Sequence, residues 1–434
     1  MKLIHTADLH LGQVIYQNYD RADEHKHFFD QLESWCTTEH PDVLLVSGDV
    51  FDIQQPSALV KKTFTDYFVN LHRACPSMHI VITAGNHDSA SRIQADSAVW
   101  EFANVHLVGM APSADMQNAP DGWQDRYIVR LECGYVVALP FMTGERSNTI
   151  QSILDRVAAE NQDGKPVVMM AHLAVTGMDA TGHGFEIGKI KTVAACDMGH
   201  GYDYLALGHI HKPQTIDHQE DCMKDDVTYP SGVMRYSGSA LHVSCDEQYP
   251  HTVSVVDINK HGGDVNIKQL RIDELRHFYV LPLDGSSYND EDAALEGVKD
   301  FVEKTAKGYI RLRVDYTASL SANFNQMVYD MIASCDDEVR YNSKIIWTGA
   351  PETHAGDEQK TTFEVAELQQ MTDPVDFIEK TMDQYAGLTL DDVRAAFEEV
   401  RDEIKRYEED EMAKAAEKEA KKAAKNNDQP EPSL

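Results

Sequence analysis

The sequence predicts an α/β fold, and three observations predict it. Short runs rich in Val, Ile and Leu alternate with helix-like segments, most of the runs show little polar alternation, and five of them end in Asp, Asn or His. Apolar runs without alternation are the signature of strands buried on both faces. Strands alternating with helices imply right-handed crossovers and a largely parallel sheet.

Taken in order, "KLIHTADLH" ends in Asp8 and His10, and "PDVLLVSGDVFD" ends in Asp49 with Asp52 just beyond. "MHIVITAGNHD" ends in Asn86, His87 and Asp88, "PVVMMAHLA" in His172, and "YDYLALGHIH" in His209 and His211. Helices are expected between the first strands, over 22–38, 57–73 and 90–102. Catalytic groups in such sheets gather beyond the strands' carboxyl ends, so residues spread widely along the chain should meet in space. Gly48, Gly85 and Gly208 precede the key positions, where a tight turn off the strand would re-aim a side chain.

Each element alone has a bland reading. A D-x-H triplet is more often a surface pair, a lone His more often structural, and Asp-Gly-Asn clusters are ordinary turn chemistry. Five strand ends with the same local layout are hard to obtain from turns alone, and together they predict a metal site. Carboxylate, amide and imidazole donors without sulfur favour Mn²⁺ or Fe²⁺, with Zn²⁺ or Mg²⁺ as alternatives.

At 434 residues the chain exceeds one ordinary core, so several domains are expected. Its 42% hydrophobic and 26% charged residues read as soluble and globular. No stretch approaches the roughly 20 apolar residues that span a bilayer. Seven scattered cysteines without C-x-x-C spacing fit a reducing cytoplasm and argue against a disulfide scaffold or thiolate zinc site. The net charge of −33 is unusual for a protein gripping DNA by itself. Either the substrate is no long polyanion, or metal cations and a partner supply the positive charge.

A first domain is expected over 1–270. Over 271–350, "HFYVLPL", "DEDAALEGVKDFVEKTA", "GYIRLRVDY" and "NFNQMVYDMIA" read strand–helix–strand–helix, a small α/β module. A polar linker over 351–369 leads to a helical hairpin over 370–408. Asp373, Pro374 and Gly387 punctuate its first helix, and Leu390, Val393, Phe397, Val400, Ile404 and Tyr407 form a heptad seam on its second. This pair either docks a partner or packs on the first domain. Residues 409–434, rich in Ala, Lys and Glu, read as a fraying helix and disordered tail.

The set D-x-H, G-D-x-x-D, G-N-H-D, a lone His after a strand and G-H-x-H, in that order, resembles the calcineurin-like metallophosphoesterases. "SGDVFDIQQPS", "LALGHIHKPQ" and "MRYSGSALHVSCDE" are similar to the nuclease subunits of bacterial complexes that pair a nuclease with an ATP-hydrolysing coiled-coil protein. The resemblance is strong over 1–255 and weaker beyond about 270. It implies a β-sandwich flanked by helices, with the 271–350 module as a capping domain that either shapes a DNA groove or merely packs. It implies two divalent ions, Mn²⁺ first, bridged by Asp49. One would be held by Asp8, His10 and His211, the other by Asn86, His172 and His209. His87 would face the scissile phosphate, with Asp52 fixing its tautomer; archaeal relatives commonly carry His where Asp52 stands, which leaves open whether Asp52 also touches substrate.

The implied activity is a Mn²⁺-dependent DNA exonuclease and endonuclease, a homodimer within a heterotetramer containing the ATPase. No P-loop occurs in the sequence, so ATP dependence would come from that partner. The alternatives are another metallophosphoesterase, acting on a small phosphodiester or a phosphoprotein, and a scaffold with a vestigial site. G-N-H-D in place of G-N-H-E and the long C-terminal extension argue against a phosphatase, and the complete ligand set argues against a scaffold. "RYSGS" (235–239) is read either as a phosphate contact or as a loop closing the sheet. His25, His27, His183 and His200 lack the strand-end setting and are read as surface residues or as supports behind the ligands.

Overall fold

The protein is described from a computed structural model, which describes residues 1–349 except 17–18, 113–119, 144–145, 182–190, 218–222, 225–226, 229–231, 245–246, 248, 306 and 336–337. The chain divides into two compact units, Met1–Ala350 and Pro351–Leu434. The linker, hairpin and tail expected over 351–434 lie outside the described residues, as does His183.

Two six-stranded sheets build the first unit. The first runs Val265–Arg271, Thr252–Ile258, Lys2–Thr6, Val43–Ser47, His79–Thr83 and Val105–Val108. Its last four strands are parallel, and the two at the other edge pair antiparallel. The second runs Gln214–Ile216, Val233–Tyr236, Tyr204–Gly208, Val167–His172, Gly134–Ala138 and Ile128–Leu131, parallel in its centre and antiparallel at both edges.

Side-chain alternation explains why these strands lack polar alternation. Leu3, Val43, Leu45 and Val81 of the first sheet share a core with Val136, Val168 and Met170 of the second. Ile4, Leu44, Val46, Ile80 and Ile82 point the other way, into a core with Phe28, Leu32, Phe64 and Phe68. Those side chains come from the helices Ala22–Glu39 and Ala58–Ala74. The Ser147–Glu160 helix covers the second sheet through Ile150, Ile153, Leu154 and Val157. The result is a four-layer α/β/β/α sandwich in which strand residues of both parities are buried.

The first two helices match their expected ranges closely. Ser57 caps the second, its hydroxyl accepting from Val60 N at 3.3 Å. The third, expected over 90–102, is broken into Ala90–Ala95, Ser97–Trp100 and a 3-10 turn. The break falls at Asp96 (φ −90°, ψ −3°), a residue type that competes with the helix for its own backbone.

Residues after 275 form a three-stranded parallel sheet, Phe278–Leu281, Gly308–Asp315 and Val339–Thr348. The helices Glu291–Lys304 and Phe324–Cys335 pack on it around a separate apolar core that includes Val298, Leu312 and Val328. A buried ionic network ties this module to the first helix. Glu24 receives Arg21 at 2.6 Å and the Tyr309 hydroxyl, with Arg276 and Arg340 each 3.5 Å away.

Candidate metal centre

The five strands that end in candidate ligands come from both sheets: Lys2–Thr6, Val43–Ser47 and His79–Thr83 from one, Val167–His172 and Tyr204–Gly208 from the other. Four of these side chains are turned into the seam between sheets by an uncommon backbone conformation. Asp8, His10, Asp49 and His209 have φ of 52°, 47°, 47° and 94°, a region that few residues other than Gly enter, Asn, Asp and His most often. Of the three glycines expected to make turns, only Gly48 has a positive φ, 83°. Gly85 and Gly208 are needed for closeness instead. A Cβ on Gly85 would lie 2.1 Å from Asp49 Oδ1, and one on Gly208 would lie 1.8 Å from the Ser47 carbonyl oxygen.

The predicted residues gather in three groups, two of which share His10, each with ligand atoms within 4.8 Å of one another: Asp8, His10 and His211; Asp49, His172 and His209; and His10, Asp52 and His87. Asn86 joins the second group, its Oδ1 lying 3.0 Å from His172 Nε2 and 2.9 Å from His209 Nδ1. Asp49 stands between the first two. Its Oδ1 accepts the His87 backbone N–H at 2.8 Å, while Oδ2 lies 3.3 Å from His172 Nε2 and 4.0 Å from His10 Nε2. His10 Nε2 is buried without a hydrogen-bond partner, a cost that a bound cation would remove. Oxygen and imidazole donors facing one another in two adjoining groups fit a pair of divalent ions.

His87 is exposed at the rim of this cluster. Its Nδ1 donates to the backbone carbonyl of Asp52 at 2.8 Å, so Asp52 sets the tautomer through its main chain. The Asp52 carboxylate instead lies 3.3 Å from His10 Nδ1. Asp88 holds the two loops together, accepting from Val50, Phe51 and Gly85 N–H groups at 3.0, 2.9 and 2.8 Å.

Burial sets the electrostatics. Desolvation raises Asp8 to about 7, against the attraction of His172. Burial would lower His172, but the Asp49 carboxylate outweighs it and raises the imidazole to about 9. Asp49 itself is held well below the usual carboxylate range: burial works to raise it, and His172 overcomes that.

Buried residues brace the cluster from behind, one of them allowed for in the sequence reading. Glu247 accepts from His211 Nδ1 at 2.8 Å and from Val243 N at 2.9 Å. His25 is buried and lies 2.8 Å by Nε2 from the Leu9 carbonyl, which makes it a brace for the Asp8–His10 loop and rules out its surface reading. Arg235 decides between the two readings of RYSGS. It is 4% exposed, bonded to Ser254 and Thr215, so the RYSGS cation belongs to the sandwich interior and reaches no phosphate.

The profile of the calcineurin-like phosphoesterases matches residues 1–213. Residues 1–213 therefore carry a domain similar to that family. Relatives of this phosphoesterase include the SbcD subunit of the SbcCD nuclease of Rhodobacter capsulatus, 30% identical over 59% of this chain and 66% of that one. The SbcD protein of Escherichia coli K12 is 28% identical over 58% and 65%. The match therefore spans just under two thirds of those two relatives. The SbcD protein of Staphylococcus saprophyticus is 24% identical over 80% of this chain and 87% of its own. Among solved structures, a dimetal phosphatase from Danio rerio aligns at 11% identity and TM-score 0.37, over 63% of this chain and 99% of that one. No helix among the described residues is long and apolar enough to cross a membrane.

Proposed function

We propose that this phosphoesterase is the nuclease subunit of an SbcCD-like complex, cleaving DNA phosphodiesters with two divalent ions, Mn²⁺ first. The observation that carries the reading is Asp49: one carboxylate oxygen is fixed by the His87 N–H, and the other faces both ligand groups. A ligand held between two cations needs negative charge, which a carboxylate supplies and a neutral amide does not. Asp8, His10 and His211 would hold one ion and Asn86, His172 and His209 the other. Bound there, such ions lower the pKa of water and neutralise charge on the phosphate.

The protein's own groups do the rest. His87, exposed and with Nδ1 committed to the Asp52 carbonyl, has Nε2 left to stabilise the transition state or protonate the leaving sugar oxygen. Asp52, by placing its carbonyl, keeps that nitrogen in position.

The partner would be an SbcC-like ATPase docked by the helical pair that the sequence leads one to expect over 370–408, and it would answer the net charge of −33 by supplying basic DNA-binding surface. The exposed apolar side chains Leu59 and Val99, each 73% exposed, and Phe102, 94%, are available to a homodimer of the nuclease domain. The test is a Mn²⁺-dependent assay on end-labelled duplex and hairpin DNA, alone and with partner plus ATP. Cleavage far exceeding phosphomonoester turnover is expected. Efficient dephosphorylation of a phosphopeptide with no DNA cleavage under any of these conditions would overturn the reading. Deleting 370–434 should leave a soluble, metal-loaded domain that no longer co-purifies with the partner; unchanged co-purification would reject the docking role.

A further inference from the structure

A pocket of about 650 Å³ opens directly off the second ligand group, with Asn86 and His209 on its wall. That volume lies within the roughly 300–1,000 Å³ of small-molecule sites. Its floor is apolar, formed by Ile150 and Met198, both buried. Arg146 and Lys191 add cations to its sides and Asp197 a carboxylate. None of these last five residues is needed to hold a metal.

Phe141 is the residue that gives the pocket a direction. Its ring centroid lies 6.2 Å from that of His172 and 6.5 Å from that of His209, so an aromatic wall begins one ring's reach from the ligands. Its backbone is fixed: Phe141 N donates to the Ala84 carbonyl at 2.7 Å, at the end of the strand that leads to Asn86. The side chain is only half-buried, which leaves ring surface open to the pocket. An aromatic wall on an apolar floor with cations at the side suits a nucleobase with its phosphate nearby. A small phosphate ester with no base would leave such a surface unused.

We propose that this pocket receives the unpaired base of a nucleotide adjoining the phosphate to be cleaved, with Phe141 as its stacking surface; the proposal rests on the nuclease reading above. A paired base cannot enter, because its Watson–Crick edge and both faces are occupied in the duplex. Phe141 would thus set a preference for frayed ends, hairpin tips and single strands.

The test uses the full chain with its ATPase partner, Mn²⁺ and single-stranded or frayed DNA. An abasic site is placed on either side of the cleaved phosphate in turn, and kcat/KM is compared with that of the normal strand. A stacking contact of ordinary strength predicts a loss of roughly tenfold at one of the two positions. Phe141→Leu keeps an apolar side chain of similar reach, and melting temperature verifies its fold. In that variant the ratio between normal and abasic strands should collapse towards one, as it should in Ala194→Phe, which fills the pocket from another wall. Equal cleavage of normal and abasic strands by the wild type, or an undiminished ratio in both variants, overturns the pocket while the nuclease reading stands. No cleavage of any DNA overturns both.

Discussion

Glu247 Oε1 accepts a hydrogen bond from His211 Nδ1 at 2.8 Å, although the two residues belong to different loops and lie 36 positions apart. The contact places the proton on Nδ1 and leaves Nε2 as the ligand-capable nitrogen. Carboxylates behind a metal-binding imidazole typically matter about 10–100-fold in metal affinity. Glu247→Ala should weaken Mn²⁺ binding by that range at one of two sites, read by calorimetric titration. Two sites of wild-type affinity would mean Glu247 is structural only.

His87→Ala should abolish DNA cleavage and keep both ions. Its imidazole leans on the Asp52 carbonyl, whereas its backbone N–H, which the substitution retains, holds Asp49. Asp49→Ala should lose metal as well. Elemental analysis of the purified variants separates the two, and an ion missing from His87→Ala would make it a ligand.

Gly85→Ala tests whether closeness at the strand end is required. The new Cβ would lie 2.1 Å from Asp49 Oδ1 and 2.2 Å from its backbone nitrogen, so the loop must move. Metal content should fall and the melting temperature with it. A variant that melts as the wild type and binds two ions would show that the loop yields freely.

The five strands that end in candidate ligands are legible because burial on both faces removes polar alternation, and because their ends carry Asp, Asn and His. What the sequence does not disclose is how distant segments lean on one another. Glu247 ends the block MRYSGSALHVSCDE, but nothing in that block points to His211, and Arg235 reads equally as a phosphate contact or as part of a closing loop until Ser254 and Thr215 are seen to enclose it. Asp52 does lie beside His87 as expected, but nothing local distinguishes a residue acting through its carbonyl from one acting through its carboxylate. Gly85 and Gly208 suggest turns and serve by lacking a Cβ, which depends on Asp49 and Ser47 far away in sequence.

Glu24 joins the first helix to the three-stranded module. Its carboxylate meets Arg21 at 2.6 Å and the Tyr309 hydroxyl, all three residues being buried. Removing one member of a buried ionic group typically costs about 3–5 kcal/mol, because the remaining charge stays desolvated. Glu24→Ala should lose that much in urea unfolding, and Tyr309→Phe distinctly less. A loss under about 1 kcal/mol for Glu24→Ala would show that water enters the gap and solvates Arg21.

His5 supplies a pH signature away from the ligands. It is fully buried between the sheets, with Nδ1 2.9 Å from the Tyr204 hydroxyl. Burial, reinforced by Arg235, lowers its pKa to about 3. The unfolded chain takes up the proton near the ordinary value of about 6.5, so between these values it binds more protons than the folded protein. His5 therefore contributes stability that is fully present above about pH 6.5 and is lost as pH falls towards 3. From pH 7 to pH 5 the loss should be on the order of 2 kcal/mol. Carboxylates raised by burial, Asp8 among them, act in the opposite sense, so the measurement must be a difference. His5→Gln retains a polar group facing Tyr204 and cannot titrate. The stability gap between it and the wild type, read by urea unfolding, should shift by that amount in the variant's favour between the two pH values. A gap that does not change with pH would mean that His5 titrates alike in the folded and unfolded chain.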